Sequence, residues 1–264
     1  VSRTFLEAIG FKVGQKAAQA KSAFDLMGGD DEESRVAEIR LGHDMAEAML
    51  RRVPLVEPNE STQFAQQIIN WLGSRVTERR LPFHLYITAE DDCHAMAFPG
   101  GPIFMSWGLL DFCRGERDHI AFLVAHEMGH IVLRHTVDRL VQDAALSLLL
   151  RKTSGRLAAT GWLQKTGKEV LGRAFSRENE LAADRFAVDL LKRAGGDPIT
   201  AQFLLENLWR VLAVVPGQGR GSASNDYFAT HPPFAERIDH LQGHATPQQR
   251  QDSPASPAEG QPET

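Results

Sequence analysis

The chain has 264 residues, a formal net charge of −5, and a composition that is 42% hydrophobic and 24% charged. That is enough apolar material for one large core or two small ones, and without a block of clustered Lys and Arg it argues against a nucleic-acid partner. No apolar run approaches the roughly 18 residues that a membrane-crossing helix needs; the longest uncharged one in the middle of the chain is Ala144–Leu150.

Residues 1–27 are expected to form an amphipathic helix, with Phe5, Leu6, Ile9, Val13 and Ala17 at helical spacing, broken by Gly28-Gly29-Asp30-Asp31. A second helix is expected over 34–52 through Val36, Ile39, Met45, Met49 and Leu50, and a third over 60–78 through Phe64, Ile68, Trp71 and Leu72. The pattern then becomes extended. Phe83–Thr88 is rich in strand formers, His94–Phe98 follows an acidic turn, Pro99-Gly100-Gly101-Pro102 reverses the chain, and Ile103–Ser106 is another strand. The strongest helix spans 116–141 and is apolar on most sides, the mark of a buried helix.

Residues 142–174 are compatible with helix but punctuated by Gly155, Gly161 and Gly167. Ser176 is suited to N-cap the next helix, which stops at Gly195-Gly196. Asp197-Pro198 starts another that runs to about Val215, a Gly- and Ser-rich loop covers 216–225, and a short helix follows Pro232-Pro233 and ends at Gly243. The tail, rich in Pro, Gln, Ser and Glu, is expected to be disordered. The two cysteines, Cys93 and Cys113, are not a Cys-x-x-Cys pair and are expected to be buried thiols, with a disulfide in an oxidising compartment as the lesser alternative.

The chemistry concentrates in His126-Glu127-Met128-Gly129-His130. Residues four apart share a helical face, so two imidazoles can grip one ion while the adjacent carboxylate reaches a water on it. The alternative, two hydrogen-bonded histidines on a buried helix, leaves Glu127 as a costly unpaired charge. Gly129 would let another element press close. A catalytic zinc site needs a third protein ligand. Glu180 on the 176–194 helix is a candidate, with Asp184 one turn later to orient a ligand histidine. An exposed acidic helix start explains Glu178 and Glu180 equally well at this level. His135 reads as a packing residue or a partner of a ligand rather than a ligand. His84, His119, His240 and His244 read as ordinary surface or strand residues.

Four segments together resemble family forty-eight of the metallopeptidases. They are Ala95-x-Ala97-x-Pro99-Gly100-Gly101; His126-Glu127-x-x-His130 with Leu133-Arg134-His135; Ser176-Arg177-Glu178-x-Glu180-x-x-Ala183-Asp184; and His231-Pro232-Pro233-x-x-x-Arg237. The resemblance covers roughly residues 35–242. It implies an α+β, mainly helical gluzincin (zincin) fold whose small sheet lines the cleft with an edge strand. It implies a protease domain over 34–243, between a helical extension at 1–33 and a disordered tail at 244–264. It further implies one Zn²⁺ per chain on His126, His130 and Glu180, with Asp184 behind them, and His231 and Arg237 beside the metal. A peptide or protein substrate would add to the strand at Ala95 and Ala97. His94 stands where the family usually has Asn, and is expected either to bond to substrate or to replace that amide sterically.

The expected chemistry is endopeptidase hydrolysis, with Glu127 as the general base and His231, aided by Arg237, stabilising the oxyanion. His231 could alternatively take the fourth metal position and hold the enzyme at rest, released by movement of the 216–225 loop. Misfolded or unfolded envelope proteins are the expected substrates and a periplasmic or envelope location the expected site of action. Because the sequence opens on Val1 rather than Met, association through a trimmed N-terminus is also considered. A zinc-stabilised chaperone or adaptor with little turnover is the competing expectation.

Overall fold

A computed structural model describes residues 32–140, 174–213, 231 and 234–245. The expected helix at 1–27, nearly all of the 142–174 segment, the loop at 216–225 and the tail after 245 lie outside the described residues.

Helix α1 spans Glu32–Leu50, close to the expected 34–52. Helix α2 spans Glu60–Gly73 and begins with a reciprocal capping box, in which Asn59 accepts from the Thr62 amide and the Thr62 hydroxyl accepts from the Asn59 amide. It ends five residues short of the expected Glu78. Ser74 turns its hydroxyl onto the Trp71 carbonyl, satisfying a helix-end acceptor and stopping the helix.

Strands β1 (His84–Thr88), β2 (Ala95–Ala97) and β3 (Pro102–Ser106) form a mixed sheet in the order β1-β3-β2. β1 runs parallel to β3, with Tyr86 opposite Phe104; β2 runs antiparallel to it, with Met96 opposite Phe104. The β2–β3 reversal depends on glycine. Gly100 and Gly101 have φ of 74° and 135°, and a Cβ on Gly100 would lie 2.4 Å from the Ile39 Cα. β2 is thus an edge strand of this sheet. His94 accepts from Ser106 and Phe98 donates to Pro102, so by antiparallel alternation the main-chain N–H and C=O groups of Ala95 and Ala97 point away from β3.

Helix α3 (Trp107–Phe112) starts directly from β3, with Ser106 as N-cap accepting from the Leu109 amide. The sequence reading had missed it, because six residues carry too little periodicity to register. Helix α4 (Arg117–Val132) is buried at every residue from Ile120 onward and is the axis of the fold. The expected single helix to 141 is interrupted. Leu133 closes α4, Arg134 takes a left-handed φ of 63°, and the chain is helical again over 135–140. No glycine or proline signals this break. Its consequence is to bring His135 back beside His130.

Helix α5 (Arg177–Ala194) starts at Ser176, whose hydroxyl accepts from the Asn179 amide, and ends at Gly195 with φ 78°. It crosses α4 closely: a Cβ on Gly129 would sit 3.1 Å from the Ala183 Cα. Helices α6 (Ile199–Ala213) and α7 (Phe234–Ala245) pack on each other and on α5 or α4. The main core joins α2, α4, α5, α6 and the sheet around Leu72, Ile103, Phe122, Leu123, Ala187 and Leu205. A second cluster under α1 holds Met45, Met96, Phe98 and Phe104. Glu38 of α1, fully buried, takes a two-pronged bond from Arg79 at 3.1 and 2.9 Å and one from the Gly100 amide. Among the described residues no helix is long and apolar enough to cross a membrane, and Cys93 and Cys113 are free thiols.

Candidate metal centre

Helix α4 presents His126 and His130 one turn apart, and α5 brings Glu180 between them. The His126 and His130 Nε2 atoms are 3.1 Å apart. Glu180 lies 3.5 Å from the first through Oε2 and 3.4 Å from the second through Oε1. A tetrahedral zinc site with bonds of about 2.0–2.1 Å has ligand–ligand edges of about 3.3 Å. The two ring nitrogens, and the Glu180 oxygen that faces each of them, therefore stand close to the spacing that one such ion requires. His231 completes a buried group of four potential ligands whose donor atoms all lie within 4.8 Å of one another. Its Nδ1 is 3.0 Å from Glu180 Oε1 and 3.4 Å from His126 Nε2, and its Nε2 is 3.4 Å from Glu127 Oε1.

The polar surroundings test the fit independently. Glu127 is only 1% exposed, yet among the described residues neither of its oxygens accepts a hydrogen bond. Leaving buried carboxylate oxygens unsatisfied is costly unless a cation or a water on it faces them. Among the described residues, Glu127, Glu180 and Asp184 are buried here against one buried guanidinium, that of Arg237. With neutral imidazoles, two negative charges remain in excess, and a divalent ion cancels them. The residues thus fit a divalent metal.

Asp184 ties the assembly together. It takes two bonds of 2.7 Å from Arg237 and lies 2.9 Å from His126 Nδ1. Arg237 also reaches Glu180 Oε2 at 3.1 Å and donates to the His231 carbonyl at 3.3 Å. Burial works against the Asp184 carboxylate, but Arg237 and His126 outweigh it and hold the group down at about 2. Burial likewise opposes ionisation of Glu180, and His231, Arg237, His126 and His130 together keep it well below the usual carboxylate range. Burial and Arg237 push His126 down, yet its bonds to Asp184 and Glu180 prevail and raise it to about 9. The cluster draws a positive charge onto the very imidazole that a metal would claim. Burial dominates at His130, which is held well below its ordinary value.

Every metal-site candidate from the sequence is thus in one buried cluster: His126, Glu127, His130, Glu180, Asp184, His231 and Arg237. Arg237 touches the carboxylates and the His231 main chain rather than open space. His94 is elsewhere engaged, its Nε2 3.0 Å from Glu90 and its Nδ1 2.9 Å from Asp92. Ala95 and Ala97 are buried on β2. Sequence reasoning did not find Phe175, whose ring lies flat on His130. Nor did it find the Glu90–Asp92 clamp on His94. Neither has a local signal beyond an aromatic beside an N-cap and an acidic turn.

A helix-borne pair of histidines with an intervening glutamate, completed by a carboxylate from a second helix, is the centre of a zincin-type metallopeptidase. The chain belongs to peptidase family M48, whose profile matches residues 61–245. It is similar to the beta-barrel assembly-enhancing protease of Escherichia coli, 29% identical over 185 residues that cover 65% of this chain and 37% of that protein. The mitochondrial metalloendopeptidase OMA1 of Schizosaccharomyces pombe is 28% identical over 210 residues, 79% of this chain and 59% of the relative. The metalloprotease YcaL of Escherichia coli is 27% identical over 180 residues, 66% of each chain. The chain spans from about a third to three fifths of the length of the first two.

Proposed function

We propose that the chain is a zinc-dependent endopeptidase acting on protein substrates, with His126, His130 and Glu180 as the ligands of one Zn²⁺. The observation that carries this reading is the convergence of those three donors at tetrahedral spacing beside a buried, unsatisfied Glu127. A zinc ion held by His126, His130 and Glu180 would supply Lewis-acid polarisation of a scissile carbonyl and would lower the pKa of a bound water to about 7. Glu127 accepts the proton from that water and returns it to the leaving amine. Asp184 fixes the tautomer of His126 by accepting from its Nδ1. His231 stands opposite Glu127 and donates toward the oxyanion, while Arg237 anchors the His231 main chain. The outward main-chain groups of Ala95 and Ala97 support binding of an extended substrate as an added strand. His94, held by Glu90 and Asp92, braces the start of that strand.

As described, His231 Nδ1 sits among the three ligand atoms. That seat supports a resting state in which His231 would be held with the metal ligands and would have to move away for turnover. It also favours a second reading, a zinc-stabilised chaperone or adaptor with little turnover. Quality control of misfolded or unfolded envelope proteins, in the periplasm or at a membrane surface, is the biological setting we propose. Its support is the likeness to a beta-barrel assembly-enhancing protease.

The test is zinc analysis of the purified chain together with cleavage of an unfolded protein such as casein, with and without chelator. Glu127→Gln should keep the metal and lose turnover by at least about a hundredfold, the scale of general-base catalysis. A Glu127→Gln variant with zinc bound and full activity would refute the scheme. Stoichiometric zinc without any chelator-sensitive cleavage would favour the chaperone reading.

A further inference from the structure

The two histidines of α4 are held very differently. His126 has an ionic anchor: its Nδ1 faces Asp184 at 2.9 Å, and Asp184 is itself clamped by Arg237. Among the described residues no carboxylate bonds to the His130 Nδ1. Its Nδ1 meets the Nδ1 of His135 at 3.1 Å. With a metal on its Nε2, the proton of the His130 ring would sit on Nδ1, where His135 Nδ1 would accept it as an uncharged imidazole. Such a bond is about half as strong as one to a charged acceptor. His130 also sits only two residues before the end of α4, where the backbone ladder is running out.

In-plane bonds at the two nitrogens fix where an imidazole points. They resist weakly the swing that carries both nitrogens out of plane. For His130 that swing is blocked on one face. The Phe175 ring lies 3.7 Å away, centroid to centroid, and only 15° from parallel. Phe175 is 7% exposed, and the Arg139 guanidinium carbon lies 3.9 Å from its ring centroid. The Phe175 backbone is in turn fixed, because the next residue, Ser176, is the N-cap of α5. The helix that supplies Glu180 therefore also supplies, at its entrance, the plate against which His130 rests.

We propose that Phe175, backed by Arg139, is a positioning residue for the metal centre: it sets the plane of His130 and thereby the affinity of the site for zinc. This rests on the reading of His126, His130 and Glu180 as the ligands. Phe175 touches no reacting atom. It acts through the ring it supports and by keeping water off that ring's face.

The test uses the full chain with zinc alone as the probe. Zinc dissociation constants come from competition with a chromogenic chelator, Co²⁺ absorption spectra report the geometry, and melting of the chelated protein reports packing. Phe175→Leu keeps apolar volume but loses the flat ring. It should weaken zinc by about tenfold or more, the scale on which supporting contacts act. It should also alter the cobalt bands while leaving the chelated protein's melting near wild type. Phe175→Tyr keeps the ring and should bind within about threefold of wild type. If Phe175→Leu folds poorly, Arg139→Gln is the second variant, with an expected loss of about two- to fivefold from removing the cation over the ring. Wild-type zinc affinity and an unchanged cobalt spectrum in Phe175→Leu would overturn the proposal. So would a zinc loss fully accounted for by lower stability of the chelated form, or a failure of Phe175→Tyr to rescue. A wild-type chain that binds no zinc would instead defeat the ligand assignment itself, and the proposal with it.

Discussion

Asp184→Asn is the substitution most informative about what holds the centre together. The side chain is fully buried, and its two oxygens face three donors: Arg237 Nε, Arg237 Nη2 and His126 Nδ1. Asparagine keeps the shape but replaces one acceptor by an NH₂ group. Whichever way the amide is turned, a donor faces a donor. Two routes give the magnitude. The carboxyl is held at about 2, and the gap from an ordinary aspartate at about 3.9 corresponds to about 2–3 kcal/mol at neutral pH. Removing one partner of a buried ion pair typically costs about 3–5 kcal/mol. A loss of about 2–5 kcal/mol is therefore expected, which lowers the melting temperature by roughly 5–15 °C for a domain of this size.

The assay is urea unfolding of the chelated protein, so that metal release does not enter. Because the folded value is depressed, the carboxylate's contribution is fully present above about pH 4 and fades as pH falls through about 2. The gap between wild type and Asp184→Asn should close over the same acid range. In the double variant with Arg237→Met the guanidinium is gone as well, and the combined loss should fall short of the sum by roughly 1–3 kcal/mol. Zinc affinity of Asp184→Asn should drop about 10- to 100-fold. A single variant within about 0.5 kcal/mol of wild type at pH 7, or strict additivity in the cycle, would show that the Asp184–Arg237 pair is not the keystone described here.

Gly129→Ala should destabilise by about 1–3 kcal/mol, since its Cβ would lie 3.1 Å from the Ala183 Cα and 3.2 Å from Phe186 and two main chains must part; a urea midpoint equal to wild type would show that the α4–α5 crossing can give. Glu38→Gln strips the charge from a buried acceptor of Arg79 and the Gly100 amide, and an unfolding free energy lower by about 3–5 kcal/mol is expected, with a change below 1 kcal/mol contradicting the view of α1 as part of the core. Burial, with Cys93 nearby, pushes the Cys113 thiol up to about 12, so alkylation at pH 8 followed by mass spectrometry should modify Cys93 first and Cys113 only on unfolding. Equal labelling of both in the native protein would refute that environment.

What was legible in the sequence is what short-range spacing controls. The apolar girdle of residues 120–132 announced a buried helix, and Ser176 and Gly195 marked the ends of α5 because caps are local chemistry. His126 and His130 had to share a face for the same reason. The partner supplied by α5 was a different matter. Spacing along α5 fits an exposed acidic start as well as a ligand, and only the packing of Ala183 on Gly129 turns Glu180 inward. The break at Arg134 left no mark, since a non-glycine residue holds the left-handed conformation there. Its benefit, His135 beside His130, exists only in three dimensions. Phe175 escaped notice for the same reason, its partner lying 45 positions away in the chain.

These pieces explain why the centre sits where it does. Gly129 and Ala183 let α4 and α5 approach until side chains from both helices converge, and that crossing lies deep in the core, where unpaired charge is most expensive. Arg237 from α7 offsets part of the cost by neutralising Asp184, leaving Glu127 and Glu180 to face the histidines. The residual negative charge lies on Glu180, beside the Nε2 atoms of His126 and His130, and on Glu127, beside His231. On the proposed reading this imbalance is the source of metal affinity. A fully neutralised cluster would be more stable alone and would have less reason to take an ion. The same low-dielectric setting that penalises Glu127 without a metal strengthens the attraction between buried carboxylates and a cation held beside them. On that reading, folding cost and metal affinity have a single origin, the burial of α4 from Ile120 onward.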